Sequence, residues 1–445
     1  MRYTQLTDDQ TRQMLQTIGA DSIEALFSPI PADLRLRRPL NIPKGVSEFE
    51  LLKDVSALAG RNRGCGQHVC FLGGGAYDHF IPTLVDGLAA QTEFLTAYTP
   101  YQAEASQGML QLLYEFQTMI CELTGMEAAN ASLYEAASAA TEAALMAMNI
   151  TGRNQVVVAE SVHPDTLRVL RTYAREREIE IITLPTPEGI VDEAALGRSL
   201  SDRCAAFIVQ SPNFFGCVER LDRLIPMAHK HGALAVVSTD PIAGGLLKPP
   251  GDFGADIVVG EAQALGVPLQ YGGPYLGFMA AREKFLRKIP GRIVGATTDR
   301  HGRRGFCLVL QTREQHIKRE RATSNICTNQ GLLAVRASIH MAALGKQGLG
   351  QVAGLCFDKA HHAAEQIAKL DGYDLKFAAP FFKEFVVRTS RGVKRALAAC
   401  RERSILGGVP LVRFDECFSD CFLVAVTEKR TKSEIDALVS ALGAA

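Results

Sequence analysis

The segment between Val156 and Gly260 constrains the fold most. Short apolar runs at Val156–Ala159, Glu180–Leu184, Ala205–Gln210, Val236–Ser238 and Asp256–Gly260 alternate with helical stretches at Pro164–Arg175, Asp192–Leu200 and Leu221–His231. This alternation predicts parallel strands joined by crossover helices. The runs are near-continuously apolar, as expected of strands covered by helices on both faces. The expected fold is therefore α/β, built on a large, doubly wound, mainly parallel sheet. Such sheets bind ligands beyond the carboxyl ends of their strands. Asn213, Asp240 and Gln263 all fall there.

Val236–Met279 carries the most informative pattern. Val236–Ser238 leads into Thr239-Asp240, and Asp256–Gly260 follows. Tyr271-Gly272-Gly273-Pro274 then turns the chain into the apolar run Tyr275–Ala281. Enzymes of the large α/β class that use pyridoxal phosphate (PLP) share this layout. Their aspartate keeps the pyridine nitrogen protonated, and a lysine after the next strand holds the cofactor covalently. Asp240 suits the first role, although taken alone it reads more readily as an acid that caps or solvates a strand end. The second role has no bearer. The loop reads Glu261-Ala262-Gln263-Ala264, and a glutamine amide cannot form a Schiff base. Lys248 is the nearest lysine, but it precedes the strand.

Other stretches add candidates. Gly73-Gly74-Gly75 lacks the spacing of a dinucleotide fingerprint and reads as a sharp turn or a close approach to another chain. His79 reads as a structural histidine. Thr96–Gly108 is dense in polar and aromatic residues, and Tyr98 and Tyr101 offer ring faces and hydroxyls to a cleft. A helix is expected over Met109–Thr124. The small residues of Ser132–Ala143 would let a helix N-terminus approach an anion such as phosphate. Residues 291–330 are basic, and their charges, Arg292 among them, read as a solvated helix face. Thr323-Ser324-Asn325 reads as a cap for an apolar helix over Leu332–Leu344, open to a phosphate or carboxylate.

At the N-terminus, Thr7-Asp8-Asp9-Gln10 predicts a capped helix to about Ile18. An extended stretch follows, broken at Ile30-Pro31 and Ile42-Pro43. From about Gly348 a smaller α+β domain is expected, with strands at Phe385–Val387 and Cys421–Val426 and a closing helix at Lys432–Leu442. The expected division is an arm at 1–65, a large domain at 66–345 and a small domain at 346–445.

Composition excludes several classes. The formal net charge is zero, which argues against nucleic acid or an anionic membrane as partner. No apolar run is long enough to span a bilayer, and the polar N-terminus lacks a signal-peptide core. A cytoplasmic protein is expected. The 11 cysteines are scattered, several in apolar settings such as those of Cys204 and Cys307, and read as reduced, buried thiols. Cys65/Cys70 and Cys417/Cys421 have no second cysteine–histidine pair at zinc-site spacing, so no metal is expected.

Taken together, GGGAYDHFIP, TAYTPYQAEASQG, LYEAASAATEA, LGVPLQYGGPYLGFMA and LQTREQHIKRERATSNICTNQ resemble the P-protein family of the glycine cleavage system across almost the whole chain. The length and the missing lysine are similar to the α chain of its two-subunit form. The resemblance implies PLP-dependent transferase fold type I with a smaller C-terminal α+β domain. It implies an enzyme that decarboxylates glycine and passes the aminomethyl group to the lipoyl arm of H-protein, in an α2β2 assembly. PLP would be held by a lysine of the β subunit, with Gln263 standing where that lysine would be. No catalytic residue is then expected in this chain. Tyr98, Tyr101, Thr323, Ser324 and Asn325 are the expected contributors to the partner's cofactor site. The competing readings are an independently active PLP enzyme using Lys248, and a scaffold that adds nothing to the site.

Overall fold

The computed structural model describes residues 5–322, 324–327 and 329–445. The chain divides into a unit ending at Arg63 and a second unit running from Gly64 to Ala445. In the first, the helix Asp8–Ile18 starts with the expected capping box between Thr7 and Gln10. Ser47 and Glu50 build a second capping box, so residues expected to be extended form the helix Glu48–Ala59. Neither helix buries a residue. Met14, Ile18, Leu52 and Phe49, the last 79% exposed, face solvent.

The second unit is built on a seven-stranded sheet. Its strands are β1 (Ala128–Ala129), β2 (Gln155–Ala159), β3 (Glu180–Leu184), β4 (Cys204–Gln210), β5 (Leu234–Thr239), β6 (Ile257–Glu261) and β7 (Gly277–Ala281). They lie in the order β1-β7-β6-β5-β4-β2-β3. The block β3-β2-β4-β5-β6 is parallel, while β7 runs antiparallel to β6 and to β1. The β2 side chains are buried throughout, as are those of β4 up to Val209. Helices at Pro164–Ala174, Glu193–Ser199 and Leu221–Lys230 make the crossovers.

Two helices pack on this core for different reasons. Gln107–Thr124 buries Leu110, Leu113, Phe116 and Ile120 along one face. Ala136–Thr151 is buried on nearly every side, and its alanines allow that close approach.

The basic run after 290 is not a helix face. It forms an antiparallel hairpin of β8 (Ile293–Thr298) and β9 (Arg304–Val309), and Arg292 at its start is only 3% exposed. A long helix, Gly331–Ala368, follows and is interrupted at Gly345 (φ 61°, ψ −178°). Beyond it, β10 (Tyr373–Leu375), β11 (Glu384–Thr389), β12 (Val409–Pro410) and β13 (Cys421–Ala425) form an antiparallel sheet in the order β10-β11-β13-β12. It has its own apolar core, which includes Phe385, Val387, Phe422, Ile435 and Leu438. No helix among the described residues is long and apolar enough to cross a membrane.

Candidate functional site

A cavity of 310 Å³ lies at the carboxyl ends of β2, β4, β5 and β6, where β11 also reaches it. Gly75, Tyr77, His163, Asn213, Asp240 and Lys383 are among its walls. The glycine run forms one wall. Gly74 and Gly75 have φ of 75° and 102°, and a Cβ on Gly75 would lie 3.0 Å from the His163 ring. Glycine is required there by both conformation and space. His163 Nε2 is 2.8 Å from the Gly74 carbonyl, and Nδ1 accepts from the Asp165 N–H. Nε2 therefore carries the proton. Burial pushes the His163 pKa down.

A chain of buried polar groups crosses the floor. The Lys383 side chain is 2% exposed, and its ammonium lies 2.7 Å from Asp240 Oδ2. It is also 2.9 Å from His79 Nε2 and 3.6 Å from the centre of the Tyr77 ring. Nζ can only donate, so His79 Nε2 accepts and His79 Nδ1–H donates to Glu428 Oε2 at 2.6 Å. Burial and then the Lys383 charge lower the His79 pKa and keep the ring neutral. Burial works to raise Glu428, but the His79 and Phe80 hydrogen bonds outweigh it and hold this carboxylate below its usual range. Glu384 accepts from Gly74 N–H (2.7 Å) and Tyr77 O–H (2.6 Å). Burial pushes its pKa up to about 7. Ligand atoms of His79, Cys356 and Glu428 lie within 4.8 Å of one another. The ammonium on His79 makes this a hydrogen-bonded relay rather than a seat for a second cation.

These residues do not fit PLP. Gln263 is 2% exposed, and its amide is fully engaged. Oε1 accepts from Tyr77 N–H at 2.8 Å, while Nε2 donates to the carbonyls of Val267 (2.7 Å) and Tyr77 (3.2 Å). The expected phosphate cradle is also taken. Glu135 caps the Ala136–Thr151 helix by accepting from Ser138 N–H and Oγ–H. Glu261 accepts from the N–H groups of Ala136, Gln263 and Leu276, and burial raises its pKa to about 7. A phosphate would meet two carboxylates where a helix N-terminus ordinarily offers free N–H groups. The acid that would face a pyridine nitrogen, Asp240, is already paired with Lys383. Lys248 is exposed, with its ammonium 4.8 Å from the centre of the Phe253 ring.

The other sequence candidates gather elsewhere. Tyr98 is 78% exposed and Tyr101 half exposed. The Tyr101 ring packs 5.7 Å from His316 and 5.7 Å from the Arg292 guanidinium carbon. Ser324 Oγ accepts from Ile326 N–H at 3.1 Å, and Asn325 is exposed. Thr323 lies outside the described residues. The expected cap role is corrected: the helix begins at Gly331 and its N-cap position is Gln330, without a side-chain bond. Ser324 bonds two residues ahead in a local turn, too far from that helix to cap it. Tyr98, Tyr101, Ser324 and Asn325 do not line the cavity. Sequence reasoning passed over Lys383 and Glu384. The available signal was a charged pair set inside the apolar run Phe381–Val387.

The family model described as "Glycine cleavage system P-protein" matches residues 1–442. The chain belongs to the glycine cleavage system P-protein family. Among similar P-protein chains, a probable glycine dehydrogenase (decarboxylating) subunit 1 of Desulfitobacterium hafniense is 50% identical over 443 residues, covering 100% of this chain and 99% of that one. One of the same description from Desulforamulus reducens is 50% identical and covers 100% of both chains. A crystal structure of a glycine decarboxylase (P-protein) of the glycine cleavage system, in inhibitor-bound form, superposes with a TM-score of 0.91 at 41% identity, over 100% of both chains. A sphingosine-1-phosphate lyase from Burkholderia pseudomallei shares the fold of this P-protein chain, with a TM-score of 0.66 at 14% identity over 93% of this chain and 94% of that one.

Proposed function

We propose that this chain is the P-protein subunit that carries no cofactor of its own. Together with a lysine-bearing β subunit it decarboxylates glycine and passes the aminomethyl group to lipoylated H-protein. Gln263 carries this reading. It is buried, has every amide atom bonded, and stands after β6 where the covalent lysine would be. PLP bound by the partner's lysine supplies the electron sink. This chain's part is to complete and enclose that site. Tyr98, Tyr101, Thr323, Ser324 and Asn325 are proposed to face it, and closure between two chains would exclude water.

Exposed apolar residues support a large protein partner. Phe49, Leu52 and Leu58 are exposed on the N-terminal unit, and separately Phe80, Leu84, Leu88 and Leu95 are exposed on the second unit. Exposed apolar residues on each unit are in keeping with protein contacts there.

The test is the visible spectrum of the purified chain with excess PLP, before and after borohydride. The expected outcome is no reducible band from the chain alone, from Gln263→Lys or from any Lys248 variant, and a band once the β subunit is added. A reducible band from the wild-type chain alone would establish it as an independent PLP enzyme.

A further inference from the structure

We infer that Arg292 forms the base of an oxyanion-binding site on this chain, whose ligand is the carboxylate or phosphate-ester group of a small molecule. Arg292 sits between Gly291 and the start of β8, and its carbonyl accepts from Ala131 N–H at 2.8 Å, which fixes the backbone. The residue is 3% exposed. A guanidinium is always charged, and proteins bury charges paired. Among the described residues no carboxylate pairs with this one. Among the described residues its side-chain bonds are long, 3.3 Å to Asn329 Oδ1 and 3.5 Å to Tyr101 Oη, and Nε has no partner.

The surroundings do not neutralise it. Arg313 spends its two terminal nitrogens on the carbonyls of Ile289 and Gly291, and its Nε is also unpartnered. Arg313 thus holds the Gly291 carbonyl, one residue before Arg292. Glu314 acts on its neighbour Arg313 and on His316, 3.7 Å away, and among the described residues it forms no ion pair with Arg292.

A carboxylate or phosphate oxyanion would replace two long neutral bonds with short charge-assisted ones and use the idle N–H. Tyr101, half exposed with its ring over the guanidinium, is the movable cover, and its hydroxyl would become a further donor. The site joins two stretches that the sequence marks separately, the tyrosine loop through Tyr101 and the segment before the long helix through Asn329. The presence of an oxyanion site stands on this chain alone. Only the choice between glycine's carboxylate and the cofactor's phosphate ester rests on the shared-site reading.

The test begins with the full chain by itself, titrated with inorganic phosphate and with acetate at constant ionic strength and followed by thermal unfolding. Wild type should be stabilised in a saturable way by at least one anion. Arg292→Met should lose the response. Arg292→Lys, which keeps the charge and protects folding, should weaken it about tenfold because the bidentate fork is gone. The same Arg292→Lys chain assembled with the β subunit identifies the source. A KM for glycine raised about tenfold at little-changed kcat assigns the substrate carboxylate. Loss of PLP on dialysis at unchanged KM assigns the phosphate ester. No anion response in wild type, or an equal response in a folded Arg292→Met chain, overturns the inference. The borohydride spectrum tests the shared-site reading independently of either result.

Discussion

Lys383 is the residue that changes the meaning of Asp240. In isolation, an acid at the end of a sheet strand reads as a partner for a ring nitrogen. In the folded chain its partner is an ammonium 2.7 Å away, itself held by His79 and the Tyr77 ring. The lysine supplies from within the positive charge that a pyridinium would bring. Removing one member of a buried ion pair strands the other and costs about 3–5 kcal/mol, whereas replacing both can be nearly neutral. Lys383→Met is therefore expected to destabilise the chain by about that amount in urea unfolding, and adding Asp240→Asn to the same chain should recover most of it. If the double variant is as unstable as the single, the pairing is not what Lys383 contributes.

At the scale of elements, the carboxyl edge of the sheet is closed by acids rather than left open for an anion. Glu261 ends β6 and Glu384 begins β11, and burial pushes both pKa values up to about 7. A carboxyl raised above its unfolded value favours folding while protonated. That contribution is complete below about pH 4.5 and is lost as pH rises through about 7, on the order of 3 kcal/mol for each group. Glutamine mimics the protonated form, and its amide can serve both Gly74 and Tyr77. Glu384→Gln should thus match wild-type stability near pH 4.5 and exceed it by roughly 3 kcal/mol at pH 8. Urea titrations across that range would show it, and a constant offset at all pH values would count against it.

For the whole molecule, the N-terminal unit is the part least explained by the chain alone. Its two helices are well capped yet bury nothing, so local hydrogen bonding forms them without a core to hold them. Such a segment is expected to find its apolar contacts on another chain. Deleting residues 1–63 should leave the unfolding midpoint of the remaining chain nearly unchanged. It should also weaken assembly with the β subunit at least tenfold, measured by sedimentation. Equal assembly with and without the segment would assign the interface to the exposed residues between Phe80 and Leu95.

The sequence by itself determined the parallel sheet, because a strand buried on both faces needs a continuous apolar run and a crossover helix needs an amphipathic one. Both are patterns of neighbouring residues. It also determined that no lysine follows β6, since that needs only the letters Glu261-Ala262-Gln263-Ala264. The hairpin after Arg292 was less legible, because most of its charges lie in its turn, 299–303, and not in its strands. Only the tertiary structure decided that Lys383 answers Asp240, that Glu135 and Glu261 take the helix N-terminus, and that Arg292 is buried with no counter-charge among the described residues. These depend on which strand ends and loops the sheet order brings together. The cost or gain of a buried charge is set by partners distant in sequence, which no local pattern records.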